Sequence, residues 1–383
     1  MIANLPKRRL HLEVTGDCNI VCSYCYNSGF NRETAIRNQL SLDEQLRIIS
    51  QALDMGCSSF CFSGGEPFLY KDIIRLVEAC ASAKRVSIIT NGSLLTDGIF
   101  EQLARFNNVK ELKISLDGFE GNDAVRIGSS HKQVIKAIKQ AVTSLPHCKV
   151  IVNTMITKHS LPELIDLYAT LKELGVQHWR IDMPFNAGRC VANARSLMQI
   201  TFESVILVYR DLLTQYFADG KPMLLELFNV YKSMISDPGD YFEFDRSSHP
   251  CAYYNDTITV RPDGGLTYCP SLAFPIANWR TTRRLEQALQ VATRHDFYRL
   301  EINQIGSCVD CRYLLLCGGG CRADAITWHS DERASDPISC AIMPLIERYI
   351  IPCLPTNERS IYERLINEHG SFPAPSSSLF IDV

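Results

Sequence analysis

Residues 10–25 read LHLEVTGDCNIVCSYC. Leu10 to Thr15 read as a β-strand, and the short loop that follows carries Cys18, Cys22 and Cys25. Parallel barrels and α/β sheets place their chemistry at the carboxyl ends of their strands, which is where these thiols fall. Three thiolates on one short loop can wrap one face of a cubane, and a [4Fe–4S] cluster normally takes four cysteines. One iron is then left free to bind something else. A zinc site with an open position also needs three protein ligands, although structural zinc favours paired C-x2-C knuckles.

Outward from this stretch the chain alternates between two patterns. Strands are expected at Ser58–Phe62, Arg85–Ile89, Lys110–Leu116, Lys149–Ile156 and Val176–Met183. Between and after them, helices are expected at Leu42–Met55, with Leu42, Leu46, Ile49 and Leu53 at helical spacing, and at 73–83, 97–106, 132–143, 161–174 and 202–217. Six β-α units imply parallel strands with right-handed crossovers. The expected class is α/β, a partial (β/α)6 TIM-like barrel, two units short of the full eight. An open doubly wound sheet fits the periodicity equally well. After about Gly220 the rhythm breaks. Ser236 to Asp240 is turn chemistry and marks a linker. Ile258–Val260 and Leu266–Cys269 flank a Gly-containing loop and read as a hairpin, followed by cysteine-rich loops and a helix near Met343–Tyr349.

The chain has 383 residues, 46% hydrophobic and 21% charged, ordinary values for two or three globular domains. A formal charge of −3 argues against a nucleic-acid or membrane-surface partner. No apolar stretch reaches the ~18 residues of a membrane helix. No apolar run follows the N-terminal arginines, so no signal peptide is expected and the location reads as cytoplasmic. The count that stands out is 16 cysteines. A chain this long does not need disulfide staples, and in a reducing compartment cysteine clusters bind metal or do chemistry. Cys57, Cys61, Cys80, Cys148 and Cys190 lie in apolar segments and are expected to be buried as small hydrophobes.

Cys18-x3-Cys22-x2-Cys25, with Tyr24 inside it, resembles the signature of the radical S-adenosylmethionine (SAM) superfamily. The likeness continues through Gly64-Gly65-Glu66-Pro67 after the second strand, Thr90-Asn91-Gly92 after the third, and Ser115-Leu116-Asp117-Gly118 after the fourth, with Arg126 beyond, and covers roughly residues 8–215. It implies a SAM-binding cluster on Cys18, Cys22 and Cys25, and SAM contacts from Tyr24, Gly64, Gly65, Glu66, Asn91, Ser115 and Arg126. By the same likeness, the Gly64–Pro67 loop meets the methionyl amine, the Tyr24 backbone the adenine, and Ser115 and Arg126 the ribose and carboxylate. Glycines permit close backbone approach, and a hydroxyl and a guanidinium fork suit those partners. The plain structural readings are a helix-start arginine at 126 and turn-shaping residues at Asn91 and Asp117. The resemblance also implies one-electron cleavage of SAM, hydrogen abstraction by the 5′-deoxyadenosyl radical, and an electron donor such as flavodoxin or ferredoxin.

Seven further cysteines run Cys251-x17-Cys269, Cys308-x2-Cys311-x5-Cys317-x3-Cys321 and x18 to Cys340. This order is similar to the SPASM extension of many radical SAM enzymes. It implies two auxiliary clusters, on Cys251, Cys269 and Cys321 and on Cys308, Cys311, Cys317 and Cys340, for three [4Fe–4S] clusters in all. The resulting division is a radical SAM core at 1–215, a bridging region at 216–250, a SPASM domain with a hairpin and helices at 251–353, and an extension at 354–383. A zinc ribbon would use four of the seven cysteines and leave three unexplained. Seven is one short of eight, so the first auxiliary cluster keeps an open iron, suited to a substrate thiolate, or borrows Cys353 or Cys190. Pro270 stands where the sulfatase-maturing branch has its aspartate base. No catalytic base is assigned; Asp256 and Asp263 are near in sequence only. The likeness points to a ribosomally made peptide as substrate, by cross-link, thioether, epimerisation or oxidation. The first strand begins by about Leu10, so no ~80-residue leader-binding module is expected, and a separate protein presents the peptide or its leader docks elsewhere. An aminocyclitol, a sugar or a tetrapyrrole is the small-molecule alternative. A non-enzymatic iron–sulfur carrier or scaffold is the alternative from another class, although a carrier needs no Gly64–Pro67 loop.

Overall fold

The computed structural model describes residues 9–29, 38–228, 230–232, 247, 249–251, 257–272 and 274–367. The turn at 236–240, Asp256 and the tail beyond 367 lie outside the described residues. Seven strands lie side by side in chain order, all parallel: β1 (Arg9–Thr15), β2 (Ser59–Gly64), β3 (Arg85–Thr90), β4 (Val109–Ser115), β5 (Lys149–Met155), β6 (His178–Asp182) and β7 (Leu224–Leu227). The crossovers carry α1 (Leu42–Asp54), α2 (Ile73–Ala79), α3 (Asp97–Leu103), α4 (His131–Ser144) and α5 (Leu164–Glu173), with α6 (Arg189–Leu197) and α7 (Phe202–Ala218) after β6.

The strand order separates the two architectures that periodicity allowed. A doubly wound sheet reverses direction at a switch point and takes helices on both faces. Here the order never reverses, so every right-handed crossover lands on the same face and the sheet curls into part of a barrel. Closure stops there. The outer edge of β1 pairs in parallel with β8 (Thr257–Val260), which turns back as β9 (Gly265–Thr267). The expected hairpin is thus hydrogen-bonded into the same sheet as the cysteine-loop strand.

Two elements depart from expectation. The 216–250 segment, read as a bridge, supplies β7, paired with β6 from His178↔Leu224 to Ile181↔Leu227. Four residues behind a Gly-Lys-Pro turn are too short to show a period, yet Leu225 and Leu227 are fully buried. Helix α6 was not foreseen because its sequence, RCVANARSL, has a narrow apolar face of Cys190 and Leu197. The helices α2 and α3 end at Ala79 and Leu103, short of Ala83 and Phe106.

Strand alternation divides the core in two. Leu10, Leu12 and Val14 join Phe60, Phe62, Val86, Ile88 and Trp179 in the apolar layer under the helices. Their neighbours His11, Glu13 and Thr15 are the buried polar side chains of the same strand. His11 meets the Ser63 hydroxyl at 2.5 Å, and burial, helped by Lys113, holds its pKa down to about 3. Cys57, Cys61, Cys80, Cys148 and Cys190 are all buried. No helix among the described residues is long and apolar enough to cross a membrane.

Leu12 sits opposite Phe62 on one side and Val260 on the other, at full burial. Leu12→Ala is expected to cost about 3 kcal/mol of unfolding free energy, within the range for buried leucines, read from urea denaturation at constant m-value.

Candidate active site and cysteine sets

A cavity of about 500 Å³ opens at the carboxyl ends of the strands. Cys18, Cys22 and Cys25 line it, as do Tyr24, Gly64, Gly65, Asn91, Ser115 and Arg126. Seven of the residues singled out beside the first cysteine cluster were Tyr24, Gly64, Gly65, Glu66, Asn91, Ser115 and Arg126; Glu66 is the member placed apart. It is fully buried, and its carboxylate accepts from the Thr90 hydroxyl at 2.7 Å, the Asn91 N–H at 2.7 Å and the Phe68 N–H at 3.1 Å. Glu66 therefore splices the loop after β2 to the loop after β3. Asn91 passes this on, its amide reaching Asn19 at 3.0 Å on the cysteine loop.

The two glycines have a second partner besides any ligand. Gly64 has φ +134°, and a Cβ there would meet the Thr15 carbonyl oxygen at 2.3 Å; a Cβ on Gly65 would meet that of Asp17 at 1.9 Å. The Gly65 and Glu66 N–H groups donate to those same carbonyls, both at 2.8 Å. The glycines press their loop onto the root of the cysteine loop.

The far side of the cysteine loop is held by a strand bridge, Val21↔Ile127 and Cys22↔Arg126, and by α6. Arg189 Nε donates to the Cys22 carbonyl at 3.2 Å, its backbone N–H to that of Cys25 at 3.1 Å, and Asn193 to that of Ser23 at 2.9 Å. Beneath, the fully buried Asp117 pairs with Arg126 Nε at 2.7 Å and accepts from the Tyr24 hydroxyl and the Met155 N–H. Arg126 also lies 3.8 Å from the Cys22 sulfur. It is a paired, buried arginine rather than a solvated one. Burial pushes the Cys22 thiol up to about 12, while Arg126 pulls it down. A metal cluster would add positive charge and hold such thiols deprotonated.

The other cysteines form two sets. Cys308, Cys311, Cys317 and Cys340 line one small cavity of about 20 Å³, closed by Leu314 and Met343. Cys251, Cys269 and Cys321 pack on a separate core of Tyr268, Leu272, Phe297 and Ala323. Cys353 belongs to neither set: its thiol donates to the Ile350 carbonyl at 3.0 Å in the main core. Cys190 packs with Tyr24, Val125 and Leu197. A zinc tetrahedron with Zn–S near 2.3 Å would hold its sulfurs ~3.8 Å apart. Among the described residues, the donor group within 4.8 Å of one another is Glu120, Asp123 and His131, and no cysteine set is that tight. In the Glu120 group, Asp123 already accepts from His131 at its backbone and ring nitrogens, at 2.6 and 2.8 Å, which braces the start of α4.

Further residues complete the cavity, among them Asp263, which the sequence placed near only along the chain. Glu13 lines it and pairs with the buried Arg261 at 3.2 Å, whose guanidinium also donates to the Pro270 carbonyl at 2.9 Å. Asp263 lines it too, while accepting from the Gly265 N–H at 2.9 Å. Phe185 faces the cavity, meets the Tyr26 ring edge-on at 6.2 Å, and packs on the core that carries Cys251, Cys269 and Cys321. The cavity and the second cysteine set thus share a wall. The alternation of charge along β1 was a readable hint; Arg261 gave none, since its position depends on the β1–β8 pairing, and Phe185, on the loop after β6, sits in no periodic pattern.

Comparison with known proteins places this geometry. The Radical SAM superfamily model matches residues 12–171. The chain is 23% identical over 364 residues to an AdoMet-dependent heme synthase of Nitratidesulfovibrio vulgaris, covering 89% of this chain and 93% of that one. It is 26% identical over 359 residues to a PqqA peptide cyclase of Rhizobium meliloti, covering 90% and 89%. The solved structure of native anSMEcpe with bound AdoMet and Cp18Cys peptide has the same fold, with TM-score 0.65, 16% identity, and coverage of 94% of this chain and 98% of that one.

Asp117→Ala removes the partner of a buried arginine. It is expected to cost about 3–5 kcal/mol, the penalty for an uncompensated buried charge, measured by urea denaturation. Asp117→Asn, whose single amide oxygen can still accept from the Met155 N–H, is expected to cost less.

Proposed function

We propose, from the premise that this chain is a radical SAM superfamily enzyme, that it is an oxidoreductase modifying a ribosomally synthesised peptide through a 5′-deoxyadenosyl radical. Cys18, Cys22 and Cys25 hold the SAM-binding [4Fe–4S] cluster within a core of residues 1–215. Cys308, Cys311, Cys317 and Cys340 hold one auxiliary cluster, and Cys251, Cys269 and Cys321 hold the other, within residues 251–353. When bound and reduced, the first cluster supplies the electron that cleaves SAM, and the radical takes hydrogen from the substrate. The chain's own part is positioning. Gly64, Gly65, Asn91, Ser115 and Arg126 line the SAM side of the cavity, with Tyr24 tied beneath through Asp117. Glu13, Asp182, Phe185 and Asp263 also line the cavity and are the groups left to meet the substrate. Glu66 and α6 keep the cysteine loop from moving, which protects the pocket from stray C–H attack.

The observation that carries this reading is the sorting of ten cysteines into three separate sets in one chain. An electron carrier has no use for a 500 Å³ cavity beside one of them. The peptide assignment is supported by the likeness to a peptide cyclase across nine-tenths of the chain, and by a shared fold with an AdoMet- and peptide-bound enzyme. Full-length likeness to a heme synthase favours a tetrapyrrole as second reading. The electron donor is a flavodoxin or ferredoxin.

Anaerobically reconstituted protein is expected to hold about 12 irons, from three four-iron clusters. The triple variant Cys18→Ala, Cys22→Ala, Cys25→Ala should keep about two-thirds of that iron and form no 5′-deoxyadenosine; residual SAM cleavage would place the reactive cluster elsewhere. Deuterium transfer from a labelled precursor peptide into 5′-deoxyadenosine, against none from a labelled porphyrin, decides between the two substrates.

Cys308→Ala with Cys311→Ala is expected to lose product while leaving uncoupled 5′-deoxyadenosine, provided circular dichroism shows the fold intact. Full product yield from a folded variant would make that cluster structural only.

A further inference from the structure

Cys251, Cys269 and Cys321 supply three donors where a cubane takes four. The two candidates for an eighth cysteine, Cys353 and Cys190, do not join them. Cys353 lies in the main core, bonded to Ile350, and Cys190 packs behind Tyr24. His249, two residues before Cys251, has both ring nitrogens engaged: Nδ1 accepts from the Cys251 N–H at 3.1 Å and Nε2 meets the Phe297 carbonyl at 2.9 Å.

Among the described residues, one buried carboxylate beside the set keeps an oxygen without a hydrogen-bond partner. Asp324 lies in the first turn of the helix Arg322–His329, whose N-cap is Cys321. A carboxylate three residues after an N-cap ordinarily folds back to accept the cap's N–H. Here that N–H donates to Asp336 Oδ2 at 2.8 Å instead. Asp336 is fully occupied, accepting also from the Ile338 N–H at 2.9 Å and the Ser339 hydroxyl at 2.5 Å. Asp324 is displaced from its capping role, 1% exposed, and its Oδ1 has no hydrogen-bond partner. The next residue back, Ala323, packs in the same small core as Cys251, Cys269 and Cys321. A buried carboxylate with a bare oxygen is costly, and the helix dipole offsets only a small part of that cost. A coordinated cation offsets it, since a carboxylate is a competent metal ligand.

We propose that Asp324 is the fourth protein ligand of the first auxiliary cluster, closing with a carboxylate the iron that the missing eighth cysteine would leave open. This rests on the cluster assignment made above. It differs from an iron kept vacant for a substrate thiolate: the resting cluster is closed, and an incoming donor must displace oxygen rather than fill a gap. A carboxylate is a harder and weaker partner for iron than a thiolate, so displacement is feasible where exchange of a cysteine would not be.

The test uses the full chain, reconstituted and reduced, read by electron paramagnetic resonance and iron content with 2-mercaptoethanol as the probe thiol. Cys269→Ser first identifies the signal of this cluster by changing or abolishing it. Asp324→Ala and the isosteric Asp324→Asn are then expected to shift the g-values of that signal alone and to make it respond to the thiol at concentrations at least tenfold lower than the parent requires. Asp324→Cys should hold four irons there and become unresponsive. Unchanged g-values in both Asp324→Ala and Asp324→Asn, or a parent as responsive as Asp324→Ala, overturns the ligand. If Cys269→Ser leaves every auxiliary signal intact, the cluster assignment itself falls, and the ligand with it.

Discussion

Asp117 is the carboxylate on which the geometry of the cavity turns. It is fully buried at the exit of β4, and it gathers a guanidinium from Arg126, a hydroxyl from the cysteine loop through Tyr24, and an N–H from the end of β5. Three loops with no covalent tie are thereby indexed to one atom pair. A buried ion pair adds little net stability over an apolar substitute, but breaking it is expensive and its directionality is high. The pair is thus better understood as a device for precision. It sets where Cys22 lies relative to the strands, and the backbone bridge Cys22↔Arg126 repeats the instruction.

Much of this was legible in the chain. The strand, the loop cysteines and the three further motifs at strand ends fell where expected, because each is local: a period of two or 3.6, a turn, a spacing. What was not legible was long-range. Arg261 reaches Glu13 only because Thr257–Val260 pairs with Arg9–Leu12, and no local pattern announces a strand that pairs across more than 240 residues of chain. Strand β7 was hidden by brevity, and α6 by polarity. The open alternative of a doubly wound sheet was beyond periodicity in principle, since both architectures share it and differ only in the order of strands.

The site residues teach a related lesson about motif reading. Gly64 and Gly65 were expected to clear space for a ligand, and they do line the cavity; the tighter constraint is their approach to Thr15 and Asp17. Glu66 belongs to the same motif, yet its oxygens are spent on Thr90, Asn91 and Phe68. A motif residue can therefore be required by the loops around a ligand without facing the ligand. Asp263 shows the converse: a turn residue by its hydrogen bond to Gly265, it is also part of the cavity wall.

The pairing of β1 with β8 has a consequence for how the two halves of the chain depend on each other. Strand β1 has one flank on β2 and the other on β8, so the cysteine-rich half covers an edge that would otherwise present unpaired N–H and C=O groups beside Leu10, Leu12 and Val14. Bare apolar edges invite pairing between molecules. The C-terminal half is accordingly a gatekeeper against self-association as well as a holder of thiols, and a chain severed ahead of Thr257 would be sticky before it was inactive. The same ladder ties the strand that leads to Cys269 to the strand that leads to the cysteine loop.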